Sequence, residues 1–323
     1  MRRNRTPWRL PARLCALALS TTALFANAAW PEKPVTIVAP FPAGGNADVL
    51  ARQIGHALSI SLKQPVIVEN RPGAGGMLGS LYVARSKPDG YTFLIGALSN
   101  VLNEFFYAKK LLDTRKDLVA VSQIVSIPNW LGVSQSSKYS NMKELIEGAK
   151  ANPAQVTCGT SGIGTTSHLI CEMLNQQLGT KISSVPYKGG IPAITDVMGG
   201  QTTFVAVNEA LPYIKDKRLK GIAVSSTERS QMAPDLPTIA ETVPGVSLVS
   251  WYGIFAPAGT PQEIVDTFST AIATAIKNPA MKERLDSLGA TPVGSTSKEF
   301  TSFISSEFVK WEKVVRPLNI RLD

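Results

Sequence analysis

Residues 35–48, VTIVAPFPAGGNAD, decide the fold of this chain. A β-branched strand runs into a turn of prolines and glycines, and an amphipathic helix begins after the turn, at Asn46 or Ala47. Gly44 and Gly45 leave backbone N–H groups uncovered where a helix N-terminus carries its partial positive charge. The stretch therefore predicts a strand–loop–helix corner that binds an anion; residues 40–46 are called the glycine corner below.

A second corner of this kind lies at residues 156–168, VTCGTSGIGTTSH, and its residues 160–167 are called the hydroxyl corner. A helix cap and a turn would explain one or two of its hydroxyls, but not the concentration of glycines. Hydroxyl and amide donors cost less desolvation than a buried Arg or Lys, and they still form charge-assisted hydrogen bonds. We predict that the two corners face each other across a cleft and close on a small carboxylate.

The N-terminal segment, residues 1–29, predicts a cleaved secretory signal peptide and a periplasmic protein. It contains five arginines, an apolar run and then Ala-Asn-Ala, in the order typical of such leaders. The apolar run is shorter than the ~20 residues of a spanning helix. Without the leader's five arginines, the 33 basic residues become 28 against 24 acidic ones, a net charge of +4. No basic run with interleaved aromatics remains, so nucleic-acid binding is not expected.

Strands and helices alternate along the rest of the chain. Further strands are predicted at 65–70 and 91–97, and a second group lies at 155–159, 182–187, 203–207 and 221–225. The repeated order of strand, turn and helix predicts an α/β fold of sheets flanked by helices, with ligands beyond the carboxyl ends of the strands. Extended segments at 118–133 and 249–256 join the two groups. We therefore expect a first lobe of residues 30–127 and 252–323, and a second lobe of residues 128–251, with a cleft and a hinge between them.

Enzymatic chemistry has little support in the sequence. Ser161 lies in Gly-Thr-Ser-Gly-Ile, which departs from the nucleophile-elbow pattern at Ile163, where a glycine is required. His168 follows seven residues later in the adjoining helix, and a hydrolase triad would need its base from elsewhere in the fold. No dinucleotide or Walker fingerprint is complete. With two histidines and no Cys-x-x-Cys, neither a metal site nor a cofactor is expected. An exported hydrolase using Ser161 is kept as a less favoured alternative.

Cys158 and Cys171 are the cysteines that remain after removal of the leader. The exported compartment permits a disulfide between them. A strand end and the second turn of the next helix would have to bring their Cα atoms within ~7 Å. Two buried thiols are the alternative.

Five motifs occur in order along the chain: PFPAGGNAD (40–48), VENRPGAGG (68–76), PDGY (88–91), VPYKG (185–189) and FAPAGTP (255–261). Together they resemble the substrate-binding receptors of tripartite tricarboxylate transporters, the Bug receptors, over essentially the whole mature chain. The resemblance implies a two-lobed, hinged periplasmic-binding-protein fold of type II, with two sheets flanked by helices. It also implies a monomer that traps a small carboxylic or amino acid and delivers it to the permease subunits of a membrane transporter.

The resemblance further implies which residues contact the ligand. In the family, the loops that match the glycine and hydroxyl corners grip the ligand carboxylate, and the regions of Tyr187 and Asn208 contribute from the second lobe. For Asp48 we expect the main role to be accepting hydrogen bonds from the glycine corner, and Lys188 either pairs with an anion or points to solvent. The candidate residues are Phe41, Ala43, Gly44, Gly45, Asn46, Asp48, Thr160, Ser161, Gly164, Thr165, Thr166, Ser167, His168, Tyr187, Lys188 and Asn208.

Three positions depart from the family's pattern. Asn46 stands where many relatives have Ser or Thr, Cys158 replaces a common Tyr, and Val207 stands where many have an Asp that can pair with a ligand amine. We therefore expect a ligand without a positive charge, such as a simple or aromatic carboxylate or a dicarboxylate. A ligand-sensing accessory protein for a membrane signalling system remains an alternative to a transport receptor.

Overall fold

Strands and helices alternate from residue 35 onward in the computed structural model, which describes residues 30–321. The predicted signal peptide, residues 1–29, lies outside the described residues. The elements in chain order are β1 (Val35–Ala39), α1 (Asn46–Leu62), β2 (Val66–Asn70), α2 (Met77–Ala84), β3 (Thr92–Ala97), α3 (Ser99–Phe106), α4 (Thr114–Asp117), β4 (Leu118–Pro128), β5 (Trp130–Ser134), α5 (Met142–Ala151), β6 (Thr157–Thr160), α6 (Thr166–Leu178), β7 (Ser183–Pro186), α7 (Gly190–Met198), β8 (Phe204–Val207), α8 (Ala210–Lys215), β9 (Leu219–Val224), β10 (Val249–Pro257), α9 (Gln262–Ile276), α10 (Pro279–Ser287), β11 (Thr291–Pro292) and α11 (Ser297–Val315).

The first sheet is built around β1. Its six strands lie in the order β11-β4-β10-β3-β1-β2, and β1 pairs in parallel with both β2 and β3. Strand β10 returns antiparallel between β3 and β4. Val35, Ile37 and Val38 are fully buried, as expected for a parallel strand that is covered on both faces. The turn that follows β1 is therefore anchored at its first residue by a buried central strand.

The second sheet has five strands in the order β7-β6-β8-β5-β9. Strand β6 pairs in parallel with β7 and β8, while β5 lies antiparallel to β8 and β9. The chain passes from the first sheet to the second at Asn129, between β4 and β5, and returns through residues 225–248 to β10. The predicted α/β fold, with two helix-flanked sheets joined by two connecting segments, is confirmed.

Helix α11 packs on the first sheet through apolar side chains that recur at helical spacing. Phe300, Ile304 and Trp311 are buried in this interface. The ring of Trp251, on β10, meets Phe300 edge to face with the centroids 5.5 Å apart. The C-terminal helix is thus part of the core of the first sheet.

A disulfide joins Cys158 and Cys171, whose Cα atoms are 6.4 Å apart. The structure therefore favours the bonded alternative over two free thiols. Because Cys158 lies on β6 and Cys171 on α6, the bond links the two elements that flank the hydroxyl corner.

None of the helices within residues 30–321 combines the length and the hydropathy of a membrane-crossing segment.

Glu307 accepts hydrogen bonds from two buried indoles, those of Trp251 (3.0 Å) and Trp311 (2.8 Å). We expect Glu307→Ala to lower the free energy of unfolding by roughly 2–5 kcal/mol, because it leaves both N–H donors buried without an acceptor. Glu307→Gln, which keeps an amide oxygen, should lose less. Urea denaturation measures both variants, and an unchanged stability of the alanine variant would show that the two indoles find other acceptors.

Candidate functional site

The glycine corner is held by the carboxylate of Asp48, in the first turn of α1. Asp48 Oδ2 accepts the backbone N–H of Gly44 at 3.0 Å, and Oδ1 accepts the Asn70 side-chain amide at 2.9 Å. Arg52 pairs with the same carboxylate from the next turn of the helix. Burial alone would raise the pKa of Asp48, but the hydrogen bonds from Arg52, Gly44 and Asn70 outweigh it and leave this pKa below its ordinary value. The predicted role of Asp48 in the loop is confirmed.

Asn46, the first residue of α1, presents an unused donor. Its side chain is 4% exposed, and within residues 30–321 its Nδ2 has no hydrogen-bond partner. The N-cap before it, Gly45, is extended and makes no side-chain cap. A buried amide donor at the positive end of a 17-residue helix is suited to an anionic acceptor.

The hydroxyl corner uses several of its hydroxyls to hold its own backbone. Thr165 Oγ1 donates to the carbonyl of Gly162 at 2.6 Å, and Ser167 Oγ accepts the N–H of Ser161 at 2.8 Å. Thr160 Oγ1 accepts the N–H of Gly162 at 3.4 Å. Gly162 has a φ of 122°, a conformation that only glycine adopts without strain. Three of the hydroxyls from which carboxylate binding was predicted therefore stabilise the loop itself.

The two corners meet at one cavity of about 60 Å³. Nine of the candidate residues line it, and they come from both sheets: Phe41, Ala43, Gly45, Asn46, Ser161, Thr165, Thr166, Lys188 and Asn208. The predicted facing of the two corners is therefore observed.

The remaining candidates lie outside this lining: Gly44, Asp48, Thr160, Gly164, Ser167, His168 and Tyr187. Gly44 is needed for its φ of 83° and for its bond to Asp48. Tyr187 lines an outer groove, and its hydroxyl donates to Asp196 Oδ2 at 2.7 Å. His168 is buried, its Nδ1 accepts the N–H of Gly164 at 3.4 Å, and burial lowers its pKa.

The sequence reasoning missed several lining residues, and Glu209 is the most important of them. It follows Asn208 just after the end of β8, as the residues of the two corners follow β1 and β6. This position after a strand is the sequence feature from which Glu209 could have been predicted as a site residue. Tyr252 also lines the cavity, and its hydroxyl donates to Asn208 Oδ1 at 3.4 Å. Burial, and then the nearby Glu209, raise the pKa of Tyr252 well above its ordinary value.

The outer groove adjoins the inner cavity and has a volume of about 680 Å³. Phe41, Pro42 and Ser161 border both spaces, as do Lys188 and Gly189. The groove extends from there along the glycine-rich turn 73–76. A ligand too long for the inner cavity has room to continue outward past Phe41.

Two other kinds of site can be compared with this geometry. Within residues 30–321, Ser161 Oγ has no hydrogen bond to His168, whose Nε2 instead approaches Glu172 at 3.8 Å. A nucleophile and its base are thus not paired. The same part of the chain contains no group of three or more His, Cys, Asp or Glu side chains able to hold a metal ion.

Comparison with known proteins places the chain among solute receptors. A family model described as "Tripartite tricarboxylate transporter family receptor" matches residues 50–320. The chain is 34% identical to protein BugT of Bordetella pertussis over 298 residues, covering 91% of each chain. It is also similar to Rpa4515 of R. palustris, solved with adipate (TM-score 0.87, 34% identity, 91% of this chain and 100% of that one). MatC of Rhodopseudomonas palustris, solved with bound malate, has a TM-score of 0.83 at 29% identity and covers 88% of this chain and 99% of its own.

These comparisons confirm the resemblance found in the sequence. The family and the structural neighbours are substrate-binding proteins and not enzymes.

We expect Asp48→Ala to lower the free energy of unfolding by roughly 2–4 kcal/mol at neutral pH, because three partners lose their acceptor. Asp48→Asn, which keeps one oxygen acceptor, should lose less. Since the pKa of Asp48 is depressed in the folded protein, its contribution is fully present above the unfolded value near 4 and is lost as pH falls through the folded value. Denaturant unfolding of wild type and variants between pH 7 and pH 3 tests this, and a stability difference that widens on acidification would contradict it.

Proposed function

The chain belongs to the tripartite tricarboxylate transporter receptor family, and from that premise we propose that it traps a small carboxylate in the periplasm and delivers it to the permease subunits of a tripartite tricarboxylate-type transporter. The observation that carries the proposal is a cavity lined by residues of both corners, among them Asn46, whose Nδ2 is buried at the N-terminus of α1 without a hydrogen-bond partner in residues 30–321. A carboxylate oxygen satisfies this donor and interacts with the positive end of the helix.

Donors from the second sheet complete the binding of the anion. Ser161, Thr165 and Thr166 line the same cavity, and no side-chain hydrogen bond occupies the Ser161 hydroxyl within the described chain. Lys188 also lines the cavity but is exposed. The anion is thus gripped by uncharged groups, which suits a ligand that must be released to a permease.

The ligand proposed here carries no positive charge. Val207, at the position where the family resemblance implies an Asp in many relatives, is fully buried in β8 and offers no partner to an amine. Two structural neighbours were solved with adipate and malate, both dicarboxylates. A water-sized group needs ~10–15 Å³, so the inner cavity of about 60 Å³ accommodates one carboxylate and a few further atoms, and a longer chain extends into the outer groove.

We further propose that the protein acts as a monomer whose two lobes, residues 30–127 with 252–323 and residues 128–251, close on the ligand. The connections at Asn129 and at residues 225–248 act as the hinge. Asn129 donates its side-chain amide to the carbonyl of Ala206 at 2.7 Å, so the crossing strand is tied to the second sheet next to the cavity. Closure is then a rotation about these two segments.

We expect thermal-shift screening to show stabilisation by carboxylates such as adipate, malate, succinate or benzoate, and none by amino acids. Stabilisation by amino acids alone would contradict the proposal.

Asn46→Ala should weaken the binding of the most stabilising carboxylate by roughly 10- to 100-fold, because a hydrogen bond to a charged group is lost. Asn46→Ser, which keeps a donor, should lose less. Calorimetry measures both affinities, and urea unfolding shows whether either variant is destabilised.

Ser161→Ala tests the donor from the other corner. We expect it to weaken carboxylate binding about three- to thirtyfold without changing stability, since the hydroxyl makes no internal hydrogen bond. Neither the wild type nor this variant should hydrolyse model esters. Ester turnover by the wild type that Ser161→Ala abolishes would instead establish the hydrolase alternative.

A further inference from the structure

Glu209 extends from the second sheet toward the first across the inner cavity. Its side chain lies between two glycines: a Cβ at Gly45 would approach Oε1 to 3.6 Å, and a Cβ at Gly190 would overlap Oε2. Both glycines line the cavity together with Glu209. The missing side chain at Gly190 leaves room for the Glu209 carboxyl group, whereas a Cβ at Gly45 would make an ordinary van der Waals contact with it.

The two oxygens of Glu209 have different surroundings. Backbone N–H groups of Asn46 and of Glu209 itself bond to the carboxyl group, whereas Oε2 is buried and has no hydrogen-bond partner within residues 30–321. Glu209 and Asn46 line the same cavity, and Glu209 Oε2 and Asn46 Nδ2 are both buried without a partner in this part of the chain.

The charged and titratable groups on the surrounding elements do not neutralise Glu209. On α1, Asp48 is bound by Arg52; on β10, the Tyr252 hydroxyl bonds to Asn208. His168 on α6 is engaged by the N–H of Gly164. Lys188, before α7, lines the cavity but is exposed and forms no ion pair with Glu209 in the described structure. An ionised Glu209 beside a bound carboxylate would be a close pair of like charges in a small, poorly hydrated space.

We propose that Glu209 contacts the ligand as a neutral carboxylic acid, with its Oε2–H donating to the ligand carboxylate, so that carboxylate binding takes up a proton from solvent. The proposal rests on the proposed function, because it needs an anionic ligand in this cavity. The step is a proton transfer: an O–H bond forms at Oε2, one breaks in a hydronium ion or buffer acid of the solvent, and no other bond changes. Burial raises the pKa of Glu209 in the free protein, although the two backbone N–H groups oppose this in part.

The direction of the pH dependence follows from these shifts. The ligand anion raises the pKa of Glu209 above its value in the free protein. Affinity is therefore highest below the free-protein pKa and falls as pH rises between the free and bound values, by up to about tenfold per pH unit.

The test uses the full mature protein and whichever of adipate, malate, succinate and benzoate stabilises the wild type most. Calorimetry between pH 5 and pH 8.5, in buffers of different ionisation enthalpy, gives affinity and proton uptake. We expect proton uptake by the wild type to be small below the free-protein pKa of Glu209 and to approach one proton between the free and bound values, with affinity falling over the same pH range. Glu209→Gln is neutral and keeps a donor, so it should bind with no proton uptake and little pH dependence. Glu283→Gln, at an exposed position on α10, should behave as the wild type.

Each other outcome overturns the proposal in a distinguishable way. If no carboxylate stabilises the wild type, the proposed function fails and this inference fails with it. If a carboxylate binds the wild type without proton uptake, only the role of Glu209 is wrong, and this result needs no variant to fold. If Glu209→Gln loses binding at every pH, or if an amine-bearing ligand binds the wild type and not this variant, Glu209 acts as an ionised partner of a cation instead.

Discussion

The structure of the candidate site depends on the buried carboxylate of Asp48. A glycine-rich turn has no side chains of its own to define its shape, and Asp48 supplies that shape by accepting the N–H of Gly44. The same carboxylate accepts the amide of Asn70, at the end of the neighbouring strand β2. The turn is therefore fixed to both the helix and the sheet. The fixed turn holds Asn46 at the first position of α1, where its Nδ2 is buried and has no hydrogen-bond partner within residues 30–321.

The segments that cross between the sheets are bound to each other and to the site. Asn129 donates its backbone N–H to Ser225 Oγ at 2.8 Å, which joins the two crossing points. Its side-chain Oδ1 accepts from Thr166 at 3.3 Å and from Asn208 at 3.1 Å, both of them lining residues. A rotation at the crossing thus changes the positions of residues that line the cavity. These hydrogen bonds therefore couple the proposed closing of the lobes to the geometry of the cavity.

Local patterns predicted most of the fold and about half of the candidate site. The glycine corner was predictable because a β-branched strand, prolines, paired glycines and an amphipathic helix follow each other without interruption. Helix α3 was missed because its buried face includes Asn100 and Asn103, which break the apolar period; Asn100 is satisfied by the N–H of Ala97 and by Ser80, and no local pattern shows these partners. Hydroxyls such as Thr160 and Ser167 were assigned to the ligand because spacing alone does not show which donors a loop consumes itself.

The ring of Phe41 packs against a glycine of the RPGAGG motif, residues 71–76, and this contact explains why a glycine stands there. The ring of Phe41 borders both the inner cavity and the outer groove. A Cβ at Gly76 would lie 3.2 Å from Phe41 Cζ, so the glycine of the RPGAGG turn lets the ring pack against that backbone. A side chain there would require the ring to shift by a few tenths of an ångström, and it would also have to adopt a φ of 94°. For the ligand proposed above, polar groups of both corners would fix the carboxylate, whereas its length and bulk would depend on the ring of Phe41, which packs against a glycine thirty-five residues away in the sequence.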